Sequence, residues 1–308
     1  QPHIIKDKLY KKNMRKIYKN DFLKMIGTTM IIFPLSISLM KLFKKKKDTN
    51  FNKDEFYGLG VNLDKGDLQQ ELIEELKVKS LIIRLPLSDI QNLDKYYEFA
   101  KSFGDDKNIL LNIIQDRNHI DDKELLKLHI MEIFNIFKTI TKEYQIGTTI
   151  NRAKWGFFAV KEYLEFYKVI QDIRDDKYAT FKLIGPSIID FEYHYTIRAL
   201  FNNIFVKFDK LSTLLYVDRR GAPQNTQMGI FNLKNKIEML YSLVKLSPKM
   251  QTDEIYITEV NWPLTGTAPY TPTSENECVS EELYAQYMID YLQIAKDTNK
   301  VQKVFWHQ

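Results

Sequence analysis

Eight apolar runs of strand length, separated by segments whose apolar residues recur every three or four positions, constrain this chain more than any other feature. The runs are FYGLGVNL (56–63), SLIIRLPL (80–87), NILLNIIQ (108–115), YQIGTTIN (144–151), FKLIGPSIID (181–190), LSTLLYVD (211–218), EIYITEVNW (254–262) and KVFWHQ (303–308). Helical stretches such as DLQQELIEELKV, DKELLKLHIMEIFNIFKTI and EELYAQYMIDYLQIAKD lie between them. Strands that are apolar on both faces need cover on both sides, which a parallel sheet wrapped in helices provides. Eight such units in about 250 residues match an α/β fold of the (β/α)8 TIM-barrel kind. An open doubly wound sheet is the alternative, but no GxGxxG or P-loop follows an early strand. The last run reaches Gln308 with no helix after it, and the chain opens on Gln. Both ends therefore read as truncations of a longer protein.

Composition narrows the chemistry. The single cysteine, Cys278, has no partner for an internal disulfide, and five scattered histidines form no HExxH pattern. No metal or cofactor is expected. The net charge of +5 conceals a split: residues 1–50 carry 13 Lys/Arg against 3 Asp/Glu, and the remainder carries 32 against 37. The basic excess sits in a terminal arm and not on the folded body, so nucleic acid is not an expected partner.

Within that arm, MIGTTMIIFPLSISLM (25–40) runs sixteen residues without a charge between lysine-rich flanks. Extended to about residues 22–43, with Lys24 and Lys41 snorkelling, it approaches the roughly 20 residues of a spanning helix. The expected organisation is a basic segment (1–50) holding a membrane anchor or signal, then a barrel domain (51–308). The competing expectation is an amphipathic or buried helix kinked at Pro34. Lysines on both flanks leave the orientation open. A membrane-anchored protein on the envelope or periplasmic side is the expected localisation.

In such a barrel the chemistry collects where strands end, because the βα loops converge on one mouth. The strand ends supply Arg84, Gln115, Asn151 with Arg152, Asp190 with Glu192, Tyr216 with Asp218 and Arg219, Glu259 with Asn261 and Trp262, and Trp306 with His307. Carboxylates and amides suit sugar hydroxyls, and Trp or Tyr faces suit the apolar side of a sugar ring. Oligo- or polysaccharide is the expected ligand.

The order of strands, ITEVNWPL (257–264), LYVDRRGAP before it and VFWHQ after it resemble the clan A glycoside hydrolases, near the β-xylosidase and α-iduronidase type. The resemblance covers about residues 56–308. It implies a retaining mechanism with Glu259 as nucleophile, Tyr216 beside it, Arg84 holding it ionised and Trp306 flooring the sugar subsite. Such a mechanism requires two carboxyl groups about 5–5.5 Å apart. The resemblance breaks at the fourth strand, where the Asn-Glu-Pro triplet is replaced by Thr148, Thr149 and Ile150. A threonine hydroxyl at Thr149 cannot serve as general acid near neutral pH. Glu192 is the first choice for a substitute, with Asp190 and Asp218 behind it; Asp190 and Glu192 share strand parity, which lets both face the mouth. Two functions are expected to compete: a glycoside hydrolase-like protein acting on a cell-envelope or exported polysaccharide, and a non-catalytic glycan-binding or assembly factor. A weaker third keeps the barrel but has Arg219, Arg220 and Lys154 hold an acidic sugar.

Overall fold

The computed structural model describes residues 8–43, 52–66, 68–218, 221–267 and 276–307. Eight parallel strands close into a barrel in chain order: β1 (Tyr57–Val61), β2 (Ser80–Pro86), β3 (Asn108–Ile114), β4 (Glu143–Ile146), β5 (Lys182–Ile189), β6 (Lys210–Leu214), β7 (Ile255–Val260) and β8 (Lys303–Trp306). Closure is made by β8 on β1, with Tyr57 opposite Val304 and Leu59 opposite Trp306. The layer outside the barrel is formed by α2 (Leu68–Glu75), α3 (Leu93–Lys101), α4 (Arg117–Asp121), α5 (Lys123–Phe137), α6 (Val160–Lys177), α7 (Tyr193–Leu200), α8 (Leu233–Leu246) and α9 (Glu281–Asp297). The TIM-barrel reading therefore holds.

Strand alternation divides the core in two. Ile82, Leu110, Ile184, Tyr256 and Phe305 form the cluster inside the barrel. Their neighbours of opposite parity, such as Leu81, Ile83, Leu111 and Val304, pack outward into the helical layer. Gly58 is needed for this filling, because a β-carbon there would lie 2.5 Å from the Phe305 ring.

Two strands end sooner than their apolar runs. β4 stops at Ile146 because Gly147 and Thr149 turn the chain through φ +78° and +49°. β5 stops at Ile189, and Asp190 follows at φ +59°. Thr148 to Asn151 and Asp190 to Glu192 are thus loop residues, to which strand parity does not apply.

Ahead of β1 runs α1 (Lys8–Phe43), continuous through Pro34. Its stretch Tyr18–Phe43, 26 residues, is long and apolar enough to span a membrane or to act as a signal sequence. One face of α1 lies against the barrel layer. Phe33 stacks on Tyr193 at 4.7 Å, and Met25, Ser36 and Met40 are buried. Asp21 is the polar lock of this seam. Its Oδ1 accepts from Arg198 Nη2 at 2.7 Å and Nε at 2.9 Å, and its Oδ2 accepts from the Lys161 amide at 3.0 Å, in the first turn of α6.

Candidate active site

The interior positions of β2, β3, β4 and β7 place polar side chains near the C-terminal mouth. Arg84, Asn112, Gln145, Thr148, Thr258, Glu259 and His307 line one cavity there, floored by Ile82 and Leu214. Regular alternation allows either Thr258 or Glu259 to face inward, not both. A register shift between Ile257 and Val260 in the β7–β8 pairing brings both to the same cavity.

Glu259 is the centre of this arrangement. Its Oε1 accepts a hydrogen bond from the Tyr216 hydroxyl at 2.8 Å, and its Oε2 lies 3.4 Å from Arg84 Nη2. Its side chain is 15% exposed and that of Arg84 18%, so both touch solvent from the mouth. Arg84 also donates from Nη1 to His307 Nε2 at 3.0 Å and packs its guanidinium over Trp155. Because Nε2 accepts, His307 is neutral with its proton on Nδ1.

Burial pushes the His307 pKa down, and Arg84 and Lys65 add to this while Glu259 opposes it. On acidification the unfolded chain protonates first, so this group's contribution is complete above about pH 6.5 and declines as pH falls below it. An NMR titration of the His307 ring is expected to give a midpoint below about 6.5. A midpoint at or above that value would contradict the burial of the ring beside Arg84.

Among the described residues, five buried side-chain atoms have no hydrogen-bond partner, and three of them are Asn112 Oδ1, Gln145 Oε1 and Thr258 Oγ1. All three belong to residues lining this cavity, and each residue is at most 5% exposed. Buried polar atoms left unsatisfied cost about 1–3 kcal/mol each, so their convergence marks a place where a polar ligand or water belongs. The enclosed space is about 10 Å³, room for roughly one water. Strand-end reasoning missed these residues because they sit within the runs. The signal was nonetheless present, since Asn112 and Gln145 are polar interruptions of otherwise apolar strands.

The other expected site residues lie elsewhere. Asn151 is a staple between loop and strand: its amide nitrogen donates to the Ile189 carbonyl at 3.1 Å and to Glu192 Oε2 at 2.7 Å, and its oxygen accepts from the Ile189 amide. Arg152 bridges Asp190 at 2.7 Å and Glu192 at 2.8 Å. Both Glu192 oxygens are thus held by donors, and Glu192 does not line the Glu259 cavity. Thr149 is buried at 3% exposure, and Thr148 lines the cavity in its stead. Asp218 is half-buried, its carbonyl accepting from the Gly221 amide, and Asn261 is half-buried after β7. Arg219 and Arg220 lie outside the described residues.

The aromatic expectation changes most. Trp306 has outward parity on β8 and is 4% exposed, so it lies in the helical layer and not as the floor of a mouth. It stacks on Trp262 at 5.7 Å and 17°, and its Nε1 donates to the Tyr284 hydroxyl at 2.5 Å. Trp262, 2% exposed, donates to the Gly221 carbonyl at 3.2 Å. His307, one residue after Trp306, has the inward parity and takes the place beside Glu259.

Lys236 on α8 supports the wall behind Tyr216. It is 1% exposed, donates to the Tyr216 carbonyl at 3.2 Å and lies over the Phe191 ring. Burial pushes its pKa down to about 8, against the pull of Asp218 and Asp190. The unfolded side chain titrates near 10.4, so stability is expected to rise between about pH 8 and 10.4, by on the order of 3 kcal/mol. Urea melts across that window check this. Lys236→Met should flatten the rise, and an equal rise in the variant would exclude Lys236 as its source.

A larger cavity, about 520 Å³, opens at the opposite rim and is lined by Glu143, Lys210, Glu254 and Tyr256 among others. There Lys210 reaches Glu143 at 2.6 Å, Glu254 at 2.5 Å and the Tyr256 hydroxyl at 2.6 Å. These charges satisfy one another at the N-terminal end of the strands, where barrels carry stability and not chemistry. Among the described residues, no cluster of His, Cys, Asp and Glu is arranged to hold a metal ion.

No protein-family model matches this chain, and no curated protein matches it. Solved structures do. The chain superposes on a GH39 enzyme from Xanthomonas axonopodis pv. citri with a TM-score of 0.58 and 12% identity, over 85% of this chain and 60% of that one. A monomeric beta-xylosidase from Caulobacter crescentus CB15 gives 0.57 and 12%, over 83% and 60%. A putative beta-galactosidase from Bacteroides fragilis gives 0.53 and 10%, over 82% and 36%. At these identities the likeness is one of fold, that of the (β/α)8 barrel, and this chain spans less than two thirds of each of the three.

Proposed function

We propose that this chain is a glycoside hydrolase-like barrel acting on a cell-envelope or exported polysaccharide, with Glu259 as the nucleophile of a retaining reaction. The observation that carries the reading is the Glu259 carboxylate, oriented by the Tyr216 hydroxyl and the Arg84 guanidinium at the C-terminal mouth. The likeness to a beta-xylosidase and a putative beta-galactosidase supports carbohydrate as the substrate class. Because the cavity itself accommodates about one water, the sugar rests above it, against the solvent-facing edges of Glu259 and Arg84.

One observation favours the second reading, a barrel that binds glycans without cleaving them. Among the described residues lining the cavity, Glu259 is the only carboxylate, and Thr148 occupies the fourth-strand side. A nucleophile without a proton donor works only on leaving groups that depart as stable anions. The two readings part on one expectation: both bind ordinary glycans with little cleavage, but only the first has Glu259 attack activated aryl glycosides. Assaying 2,4-dinitrophenyl glycosides of several sugars beside their methyl counterparts tests it. Rapid cleavage of both classes would require a proton donor that the proposal omits. No turnover of either would leave glycan binding alone, with Glu259 as a ligand for sugar hydroxyls.

A further inference from the structure

The face of α1 turned away from the barrel is as apolar as the face turned toward it. Leu23 (58% exposed), Ile26, Met30 (73%), Ile31 (71%), Leu35 and Leu42 (67%) form an exposed row. At 1.5 Å per residue it is about 30 Å long. No charged residue interrupts the helix from Met25 to Met40, and lysines bracket it: Lys16, Lys19 and Lys24 at one end and Lys41 with Lys44 to Lys47 at the other. A soluble helix of this kind, paired on one side, presents polar residues on the other.

We propose that α1 lies in the plane of an anionic lipid surface, docking the barrel to it without crossing it. Two observations support this. The first is the seam. A helix that crosses the bilayer while docked carries the α7–α8 wall into the hydrocarbon with it. To cross alone it must leave the barrel, separating Asp21 from Arg198, which are 4% and 3% exposed, and uncovering Met25 and Met40. Lying in the plane keeps the seam intact and buries only the outward row. The second is charge. Because both ends of the row are basic, a second copy pairing through it brings lysines against lysines in either orientation. Acidic headgroups complement both ends at once.

The test uses the full chain with Cys278→Ser and vesicles of phosphatidylcholine, with and without phosphatidylglycerol. Binding to the anionic vesicles is expected to be at least about tenfold tighter than to the neutral ones. Met30→Glu with Ile31→Glu should weaken it by about tenfold or more while the melting temperature is retained, since both side chains point to solvent. If that variant melts early, Ile31→Ser carries the same expectation with a smaller loss. Cysteines placed singly at Lys19 and Lys41 should both react with an impermeant maleimide added outside the vesicles. Reaction at only one of the two would show a spanning helix and overturn the proposal. So would an absence of vesicle binding accompanied by a dimer that Met30→Glu dissociates.

Discussion

Replacing Glu259 with Gln is expected to lower turnover of 2,4-dinitrophenyl glycosides by about 10³-fold or more, because the amide keeps the shape of the carboxylate but loses its nucleophilicity. Dinitrophenolate leaves as an anion, so the first step needs only attack by Glu259 on the anomeric carbon: the carboxylate–carbon bond forms as the bond to the aryl oxygen breaks. With a methyl leaving group the same step needs a proton. General acids contribute about 10²–10⁴-fold, and the cavity offers no second carboxylate among the described residues, so methyl glycosides should be slower by a factor of that order. The second step carries the same signature. Water attacking the glycosyl-enzyme needs a base to take its proton, whereas azide does not. Azide is therefore expected to accelerate turnover and yield a glycosyl azide of retained configuration, the bond to nitrogen forming as the Glu259 ester breaks and the carboxylate departs. Unchanged rates in the Glu259→Gln variant would remove Glu259 from the chemistry. Rapid hydrolysis insensitive to azide would show that a base is at work in the site.

The largest expected effect on stability comes from Asp21→Ala. Truncating one partner of a buried ion pair leaves the other charge uncompensated, at a cost of about 3–5 kcal/mol. Here the loss includes the acceptor for the Lys161 amide as well as the partner of Arg198. A fall in melting temperature on the order of 10 °C is expected for a chain of this size, together with earlier proteolysis of α1. Removing Arg198 too, as Asp21→Ala with Arg198→Leu, should recover a large part of the loss, because no buried charge then remains unpaired. A deficit under about 1 kcal/mol for Asp21→Ala would place the pair in water and dissolve the seam.

The barrel was legible in the sequence because its strands are apolar on both faces and its helices carry a clean three-to-four repeat, two signals that local composition sets. The position of Glu259 was legible for the same reason, as a charge at the end of an apolar run. Its partners were harder to read. The β7 register shift that brings Glu259 inward beside Thr258 is a property of pairing with β8, and no residue in ITEVNW announces it. Trp306 and His307 are adjacent letters whose roles are decided by parity alone, and the family resemblance points to Trp306 for the sugar floor. Asp190 and Glu192, two apart after an apolar run, read as sharing a strand face. The positive φ of Asp190 ends β5 first, and Arg152 gathers both carboxylates. The α1 seam lay beyond sequence reading, since Asp21 and Arg198 meet across 177 positions and the arm around Asp21 reads as a lysine-rich flank.

The most direct test of the central claim is mass spectrometry of the chain after reaction with a dinitrophenyl 2-deoxy-2-fluoro glycoside, whose fluorine slows breakdown of the glycosyl-enzyme. The account predicts one added fluorosugar, carried on the peptide containing Ile255–Val260 and absent from Glu259→Gln. A label on another carboxylate, or none across a panel that includes xylose and galactose derivatives, would contradict it.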